Sequence, residues 1–413
     1  MKILIYSHFY FPEVGAASLR MQYFVNALKS AENEIKIITP LPNYPLGKIY
    51  RGFSKFFHKD DKRNIIYLPI YLPKKHSVLK RGISYLSYLL SSFFYALFSS
   101  FKPDIIITSS PPLSTAFGAA MISKIRRSKF IIDLRDIWPD IGIELGLLKK
   151  SFLINKLKRI EQYILKRAIS IIVTANGDKE NLEKKGILGS KISIIFNGAD
   201  PVVFKPLNTT EIYKTRAKYN IRQDKIVLIY FGSFNYGMND IELLGNVLSK
   251  MEKYREIFTF IAVGDGDNRN AFLDKIKNKI EIQSFNSLDS KELAKLLASS
   301  DISLVPRKGI KNDTGGNTPV KCFESWASEI PVLLSANEES EIVNLFEECK
   351  AGIFVNPNDV NEYKNALIKM ITDIDLKRLG LRGRKYVEEN FNRIKQSEKL
   401  NSIVNKLNYQ EHT

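Results

Sequence analysis

Apolar residues in this chain gather in short, nearly continuous runs separated by longer segments of helical period. Runs at 2–6, 35–38, 65–68, 105–108, 130–134 and 170–173 are rich in isoleucine and apolar at almost every position. Strands covered by helices on both faces of a parallel sheet carry that pattern. Helical periods lie between them, including 17–30 and 149–168. The series starts again at 227–231 and continues at 258–263, 280–282, 302–305, 331–334 and 352–355. Two successive βαβα series predict an α/β chain of two doubly wound, Rossmann-like domains. At 413 residues the chain also exceeds what one core usually serves. The seam is expected after 192–195, where Asn197-Gly198-Ala199-Asp200-Pro201 is turn chemistry and a polar stretch follows to Asp224. Residues 386–407 read as a final helix. The expected divisions are 1–197, 198–388 and a closing helical segment at 389–413.

One segment invites a membrane reading. Residues 82–101 contain no charge, and Lys80-Arg81 and Lys102 flank them. Length alone permits a span. Six serines interrupt it, however, with Ser84, Ser87 and Ser91 on one helical face. Leu86, Leu89, Leu90, Phe93, Phe94 and Leu97 cover the rest. The pattern predicts an amphipathic helix, packed on a sheet first and lying in a bilayer interface second.

Charge sharpens that choice. Residues 1–200 hold 31 Lys and Arg against 15 Asp and Glu, whereas 201–413 hold 31 against 29, so the +18 net charge lies almost wholly in the first half. Such asymmetry points to an acidic partner for that half, or to a solvated basic surface. No zinc-ligand spacing, arginine-rich arm or RNA-motif signature is present, so nucleic acid is not the expected partner. An anionic membrane surface attracts the same charge. The two cysteines, Cys322 and Cys349, lack pairing or metal spacing and suit a reducing compartment. The opening residues read as a buried strand rather than a signal peptide.

In open parallel sheets ligands bind beyond the carboxyl ends of the strands. The first strand is followed by residues 7–12 and then Gly15-Ala16-Ala17. The run at 130–134 leads into Arg135-Asp136-Ile137-Trp138-Pro139. Gly232-Ser233 follows 227–231, and Gly264-Asp265-Gly266 follows 258–263. Pro306-Arg307-Lys308 follows 302–305 and leads to Gly315-Gly316-Asn317-Thr318-Pro319-Val320-Lys321. Polar and glycine-rich residues thus recur at strand ends in both halves, and two such edges facing one central cleft is the simplest arrangement.

The last stretch is the most informative. Small residues leading into a proline near the first helical turn leave backbone N–H groups free for a phosphate. Lys321 and Glu324 share a helical face just inside that terminus. The lysine can neutralise phosphate, and the carboxylate can accept from ribose or sugar hydroxyls. An ordinary capped helix with a surface Lys and Glu is the plain alternative. Gly264-Asp265-Gly266 is neither a dinucleotide fingerprint, since Arg269 stands where the third glycine belongs, nor a Walker loop. It is read as a turn closing a parallel unit, with no metal expected. His8 and His58 are read as structural or exposed ahead of acid–base groups. Asp133, Arg135 and Asp136 cluster at a strand end, where ionisable groups perturb one another. Asp133 lies within an apolar run, so either a functional role or a bracing salt bridge fits it.

Taken together, these motifs resemble the bacterial glycosyltransferases of family 4, which have the two-domain GT-B fold. The likeness is carried by His8-Phe9-Tyr10-Phe11-Pro12-Glu13-Val14-Gly15-Ala16-Ala17 with Arg20, and by Leu41-Pro42-Asn43-Tyr44-Pro45. It continues in Asp133-Leu134-Arg135-Asp136-Ile137-Trp138-Pro139, Asn197-Gly198-Ala199-Asp200, Gly264-Asp265-Gly266 and Pro319-Val320-Lys321-Cys322-Phe323-Glu324. The resemblance spans essentially the whole chain. It implies an acceptor-binding first domain, a nucleotide-sugar-binding second domain, and transfer with retention of configuration, without metal or resident cofactor. By the same resemblance Glu324 accepts from the ribose, backbone around Gly316, Asn317, Thr318 and Val320 holds the diphosphate, and Gly15 to Ala17 lets backbone close on those phosphates. The closing helix would cross back to the first domain.

Two departures stand out. The family usually carries a second glutamate eight positions before the first, where this chain has Gly316. It also usually places an Arg and a Lys in the loop after the first strand of the second domain, whereas 232–240 contains no cation. Lys321 is the expected substitute, with Arg307, Lys308 and Lys311 as alternatives. The expectation is therefore a glycosyltransferase at the inner face of a bacterial plasma membrane, using a nucleotide-sugar, a UDP-sugar first, on a lipid-linked or surface-polysaccharide acceptor. A nucleotide-sugar 2-epimerase and a catalytically weakened glycan- or partner-binding relative are the rivals.

Overall fold

The computed structural model describes residues 1–409 apart from 45–46, 55, 74–77, 236, 310–317 and 358. The chain divides into two compact units, one formed by Met1–Phe196 with the segment from Ile394 onward, the other by Asn197–Arg393. In the first unit the strands are Lys2–Tyr6 (β1), Glu34–Pro40 (β2), His58–Asp60 (β3), Ile65–Leu68 (β4), Ile105–Ser110 (β5), Lys129–Leu134 (β6), Ser170–Val173 (β7) and Ile192–Ile194 (β8). They form one sheet in the order β3-β4-β2-β1-β5-β6-β7-β8, parallel throughout except for β3. Alternate residues serve opposite faces. Leu4, Tyr6, Ile106 and Ile132 meet one buried cluster, and Ile3, Ile5, Ile107 and Ile131 meet the other, which also takes Phe24, Leu28, Leu400 and Val404.

In the second unit the strands are Ile226–Phe231 (β9), Phe258–Val263 (β10), Glu281–Phe285 (β11), Ile302–Val305 (β12), Val332–Ser335 (β13) and Gly352–Val355 (β14). Their order is β11-β10-β9-β12-β13-β14, all parallel. Strand order reverses at β1/β5 in the first unit and at β9/β12 in the second, which fixes where each sheet opens toward a ligand.

Four expectations need revision. The edge strand β3 carries no apolar residue and so gave no pattern; its charged residues blunt a sheet edge. The polar stretch after Pro201 contains the helix Thr209–Lys218, started by a reciprocal Asn208/Glu211 capping box. Arg216 ties that helix down through the Ser299 carbonyl at 2.9 Å and Asp301 at 2.8 Å. The single closing helix is two, Leu376–Asn390 and Arg393–Tyr409. Between them the backbone turns to pair with Ala199, whose N–H donates to Phe391 O (3.0 Å) and whose carbonyl accepts from Arg393 (2.8 Å). That pairing interrupts the helical ladder.

The fourth revision concerns the helix Val78–Phe98. Its buried face is Ser84, Tyr88, Ser92 and Ala96, with Ser92 beside Tyr6, and half-buried Ser87 and Ser91 flank it: Ser87 Oγ accepts from the Tyr71 N–H at 2.8 Å, and Ser91 donates to Pro69 O at 2.8 Å. Ile83, Leu86, Leu90, Phe94 and Phe98 lie in solvent along the opposite stripe, with Phe98 80% exposed. No helix among the described residues is long and apolar enough to cross a membrane.

Candidate active site

The second unit builds its site at the β9/β12 switch. Strands β9 and β10 are each followed by a glycine that lets backbone or side chain approach closely. Gly264 (φ 135°) follows β10, and a Cβ on it would fall 2.0 Å from Gly232 O; Gly266 likewise packs on Phe234. Gly232 follows β9 at φ 138°, and a Cβ on it would lie 2.5 Å from Lys321 Nζ. The lysine ammonium therefore sits directly over the end of β9, the place where the sequence showed a loop without a cation. Lys321 Nζ donates to Asn239 Oδ1 at 3.0 Å and lies 4.5 Å from the centre of the Tyr230 ring. Burial pushes its pKa down to about 7, and the neighbouring Arg307 charge adds to the effect.

Arg307 follows β12 and is 3% exposed. Its backbone is pinned to β13, since its N–H donates to Ser335 Oγ (2.8 Å) and its carbonyl accepts from the same hydroxyl (2.9 Å). The bridge between Asn239 and Arg307 closes the loop after β9 against β12. Ser233 is held within that loop, its carbonyl accepting from Tyr230 Oη at 2.7 Å.

The helix Val320–Ala327 starts after Thr318-Pro319, and its N-cap residue Pro319 supplies no side-chain hydrogen bond to it. Thr318 is buried, and its hydroxyl has no hydrogen-bond partner among the described residues. A helix start that its own N-cap residue leaves open, a buried hydroxyl without a partner among the described residues and a lysine one residue into the helix converge there, a constellation suited to an anion. One turn further in, Glu324 is buried, and burial raises its pKa against the opposing charge of Arg393. Arg393 Nη2 donates to Glu324 Oε1 at 3.2 Å. Asp265 faces elsewhere: its Oδ2 accepts from the Ser287 N–H at 2.9 Å, and its carbonyl accepts from Phe234. Gly315, Gly316, Asn317 and Lys311 lie outside the described residues.

In the first unit, the Asp133 cluster separates into distinct roles. Asp133 is fully buried and accepts from Arg20 Nε (3.0 Å) and Nη2 (2.8 Å), so this pair braces β6 against the helix Ala16–Ser30. Of the two readings the sequence left open for Asp133, a functional group or a bracing salt bridge, this pairing supplies the second. Arg135 donates to Ser109 Oγ (3.1 Å) and Pro111 O (3.0 Å), and burial lowers its pKa. Asp136 follows it at the strand end, half-buried. His8 is buried, with burial and the Arg135 charge pushing its pKa down to about 3, and its ring meets Tyr85 and Tyr88 edge-on. It is a neutral packing residue. Gly15 precedes the helix Ala16–Ser30 in extended backbone open to any residue, and as the N-cap residue it has no side chain to cap the Ala16 end.

Sequence reasoning missed two groups. Arg393 lay in a segment read as uninterrupted helix. Glu13 stood inside a quoted motif without a role; it is buried, accepts from the Asn43 and Tyr44 N–H groups at 2.8 and 2.9 Å, and burial pushes its pKa up to about 7.

Residues 17–203 match the family described as Glycosyltransferase Family 4, and residues 225–373 match Glycosyl transferases group 1. The chain is 24% identical over 317 residues to the putative colanic acid biosynthesis glycosyl transferase WcaI of Escherichia coli K12, covering 75% of this chain and 77% of the relative. It is 22% identical to the probable glycosyltransferase WbjE of Pseudomonas aeruginosa, covering 81% and 82%. Among solved structures, WaaG, a glycosyltransferase involved in lipopolysaccharide biosynthesis, superposes with a TM-score of 0.70 at 13% identity, covering 97% of this chain and 99% of that one. Anabaena HepE in complex with UDP superposes with a TM-score of 0.68 at 14% identity, covering 98% and 100%. At those identities the structural likeness is one of fold.

Proposed function

The chain belongs to the family 4 glycosyltransferases of GT-B fold, and on that premise we propose that it transfers a sugar from a UDP-sugar to a lipid-linked or surface-polysaccharide acceptor with retention of configuration. One observation carries the donor half of this reading: Thr318, Lys321 and the start of Val320–Ala327, which Pro319 does not cap, converge at the β9/β12 switch, with Glu324 one turn behind. In the proposed complex the helix start and Lys321 hold the diphosphate, and Glu324 accepts from the ribose. UDP in the HepE complex supports the choice of base. The names of WcaI and WaaG support a surface-glycan acceptor.

Catalysis in this reading is electrostatic. As the glycosidic bond to the diphosphate breaks, negative charge grows on the leaving phosphate, where N–H dipoles and Lys321 stabilise it most. The departing phosphate oxygen takes the acceptor hydroxyl proton, so no protein base is assigned. The hydroxyl is held by the first unit, whose strand-end groups Arg135 and Asp136 are the proposed contacts. We further propose that the basic first half and the exposed stripe of Val78–Phe98 bring the enzyme to the inner face of the plasma membrane.

Calorimetry with UDP, GDP, ADP and dTDP tests the donor site. One diphosphate is expected to bind, and Glu324→Ala to weaken it about tenfold or more, the worth of a charge-assisted hydrogen bond. Failure of all four to bind would sink the nucleotide reading. A second reading, a chain that binds nucleotide without turnover, is motivated by Gly316 standing where the family has glutamate. Transfer of radiolabelled sugar into the lipid fraction of a membrane extract separates the two.

A further inference from the structure

The partner of Glu324 occupies an unusual place in the chain. Arg393 is the last residue of the second unit, and Asn197 is its first. The Arg393 guanidinium donates through Nε to Asn197 O (3.2 Å) and through Nη2 to both Gly198 O (2.7 Å) and Glu324 Oε1 (3.2 Å). Its own N–H donates to Ala199 O at 2.8 Å. Gly198 stands at φ 54°, and a Cβ there would lie 2.0 Å from Phe391 O, so the two chain segments meet backbone to backbone. Phe391 in turn stacks on Phe323, the neighbour of Glu324, with ring centres 4.7 Å apart. One arginine thus joins the buried carboxylate to both points where the chain enters and leaves its unit.

A buried carboxylate needs such a partner. Without one it takes up a proton or swings toward water, and in either case it no longer presents a fixed pair of acceptor oxygens. Lys321, the other nearby cation, is directed to Asn239 and Tyr230. Glu324 Oε2 accepts no hydrogen bond among the described residues, so the pairing through Oε1 leaves one oxygen for a ligand.

We propose that Arg393 is a positioning residue of the nucleotide site, holding Glu324 as an oriented carboxylate whose second oxygen accepts from the ribose hydroxyls of a nucleoside diphosphate. The inference rests on the reading of Glu324 given above. Its direct consequence is selectivity for ribose over deoxyribose that depends on a residue outside the phosphate-binding helix.

The test is calorimetric titration of the full chain with UDP and with 2′-deoxy-UDP. The proteins compared are the unsubstituted chain, Glu324→Ala, Arg393→Gln, Arg393→Lys and the double variant Glu324→Ala/Arg393→Gln. The unsubstituted chain is expected to favour UDP, and Glu324→Ala to abolish that preference. Arg393→Gln should weaken UDP about tenfold, bring the affinity ratio close to one and leave 2′-deoxy-UDP within about twofold. The double variant should be no worse than Glu324→Ala, because the two act through one contact. Arg393→Lys keeps a charge but not the fork, and should retain part of the ratio.

Loss of the clamp alone lowers thermal stability without changing the ratio measured on folded protein. Should Arg393→Gln not fold, the lysine variant carries the comparison. A normal ratio in the Arg393 variants, with the ratio lost in Glu324→Ala, would overturn the inference and leave the ribose reading standing. A normal ratio in Glu324→Ala would overturn the ribose reading, and the inference with it. If another of the four diphosphates binds in place of UDP, the same comparison is made with its ribo and 2′-deoxy forms; failure of all four to bind the unsubstituted chain would overturn both.

Discussion

Two buried ionic groups separate bracing from binding at the level of single residues. Asp133 and Arg20 satisfy each other within the first unit, so removing one partner strands a buried charge. Asp133→Leu should cost about 3–5 kcal/mol of stability, read as a lower Tm or denaturant midpoint, through the arginine it strands. Lys321 is the opposite case, a lysine whose pKa near 7 is far below its ordinary value because burial disfavours its charge. The unfolded chain therefore binds more protons between about 7 and the ordinary lysine pKa, so this group's contribution to stability rises with pH across that window and is lost as pH falls through 7. A diphosphate reverses the preference, raising the pKa in the complex. Nucleotide binding at pH 8 should accordingly take up protons and weaken as pH rises, and Lys321→Met should remove the uptake. Calorimetry in buffers of different ionisation enthalpy reads both. Both lysine and aspartate were visible as candidates in the sequence; which was braced depended on a partner 113 residues away.

The helix Val78–Phe98 carries the lesson at the level of elements. Its alternation of serines and leucines was legible, but the direction was not. Serines were read as the polar face, yet they satisfy loop backbone at Pro69 and Tyr71, while Tyr88 and Ala96 fill the core between them. Small hydroxylic side chains allow close packing where a leucine would not fit. Gly118 on the adjacent helix Leu113–Ile125 shows how close: a Cβ there would meet Leu89 Cδ1 at 2.6 Å and Tyr6 Oη at 2.9 Å. Gly118→Val should therefore overpack this contact and cost about 1–3 kcal/mol in chemical denaturation. The double variant Leu86→Asp/Phe94→Asp alters only the exposed stripe. It should change stability by less than about 0.5 kcal/mol at each site while reducing cosedimentation with vesicles containing anionic lipid.

For the whole molecule, charge asymmetry predicts a salt-dependent interaction. If the basic first half engages an anionic surface, vesicle binding should be strong at low ionic strength and largely lost at about 1 M salt, where screening acts within about 3 Å. Unchanged binding at high salt would instead assign the attraction to the apolar stripe. Much of this organisation could be read from the chain itself. The two βαβα series and the strand-end glycines follow from local pattern, because a strand buried on both faces must be apolar along its length and a left-handed backbone turn selects glycine. The pairing of Lys321 with the end of β9, the bracing of Asp133 by Arg20 and the interruption of the closing helices at Phe391 were decided only by tertiary structure. Each depends on two segments far apart in sequence meeting in space, and the free energy of such a meeting, desolvation set against a specific partner, is not encoded in either segment alone.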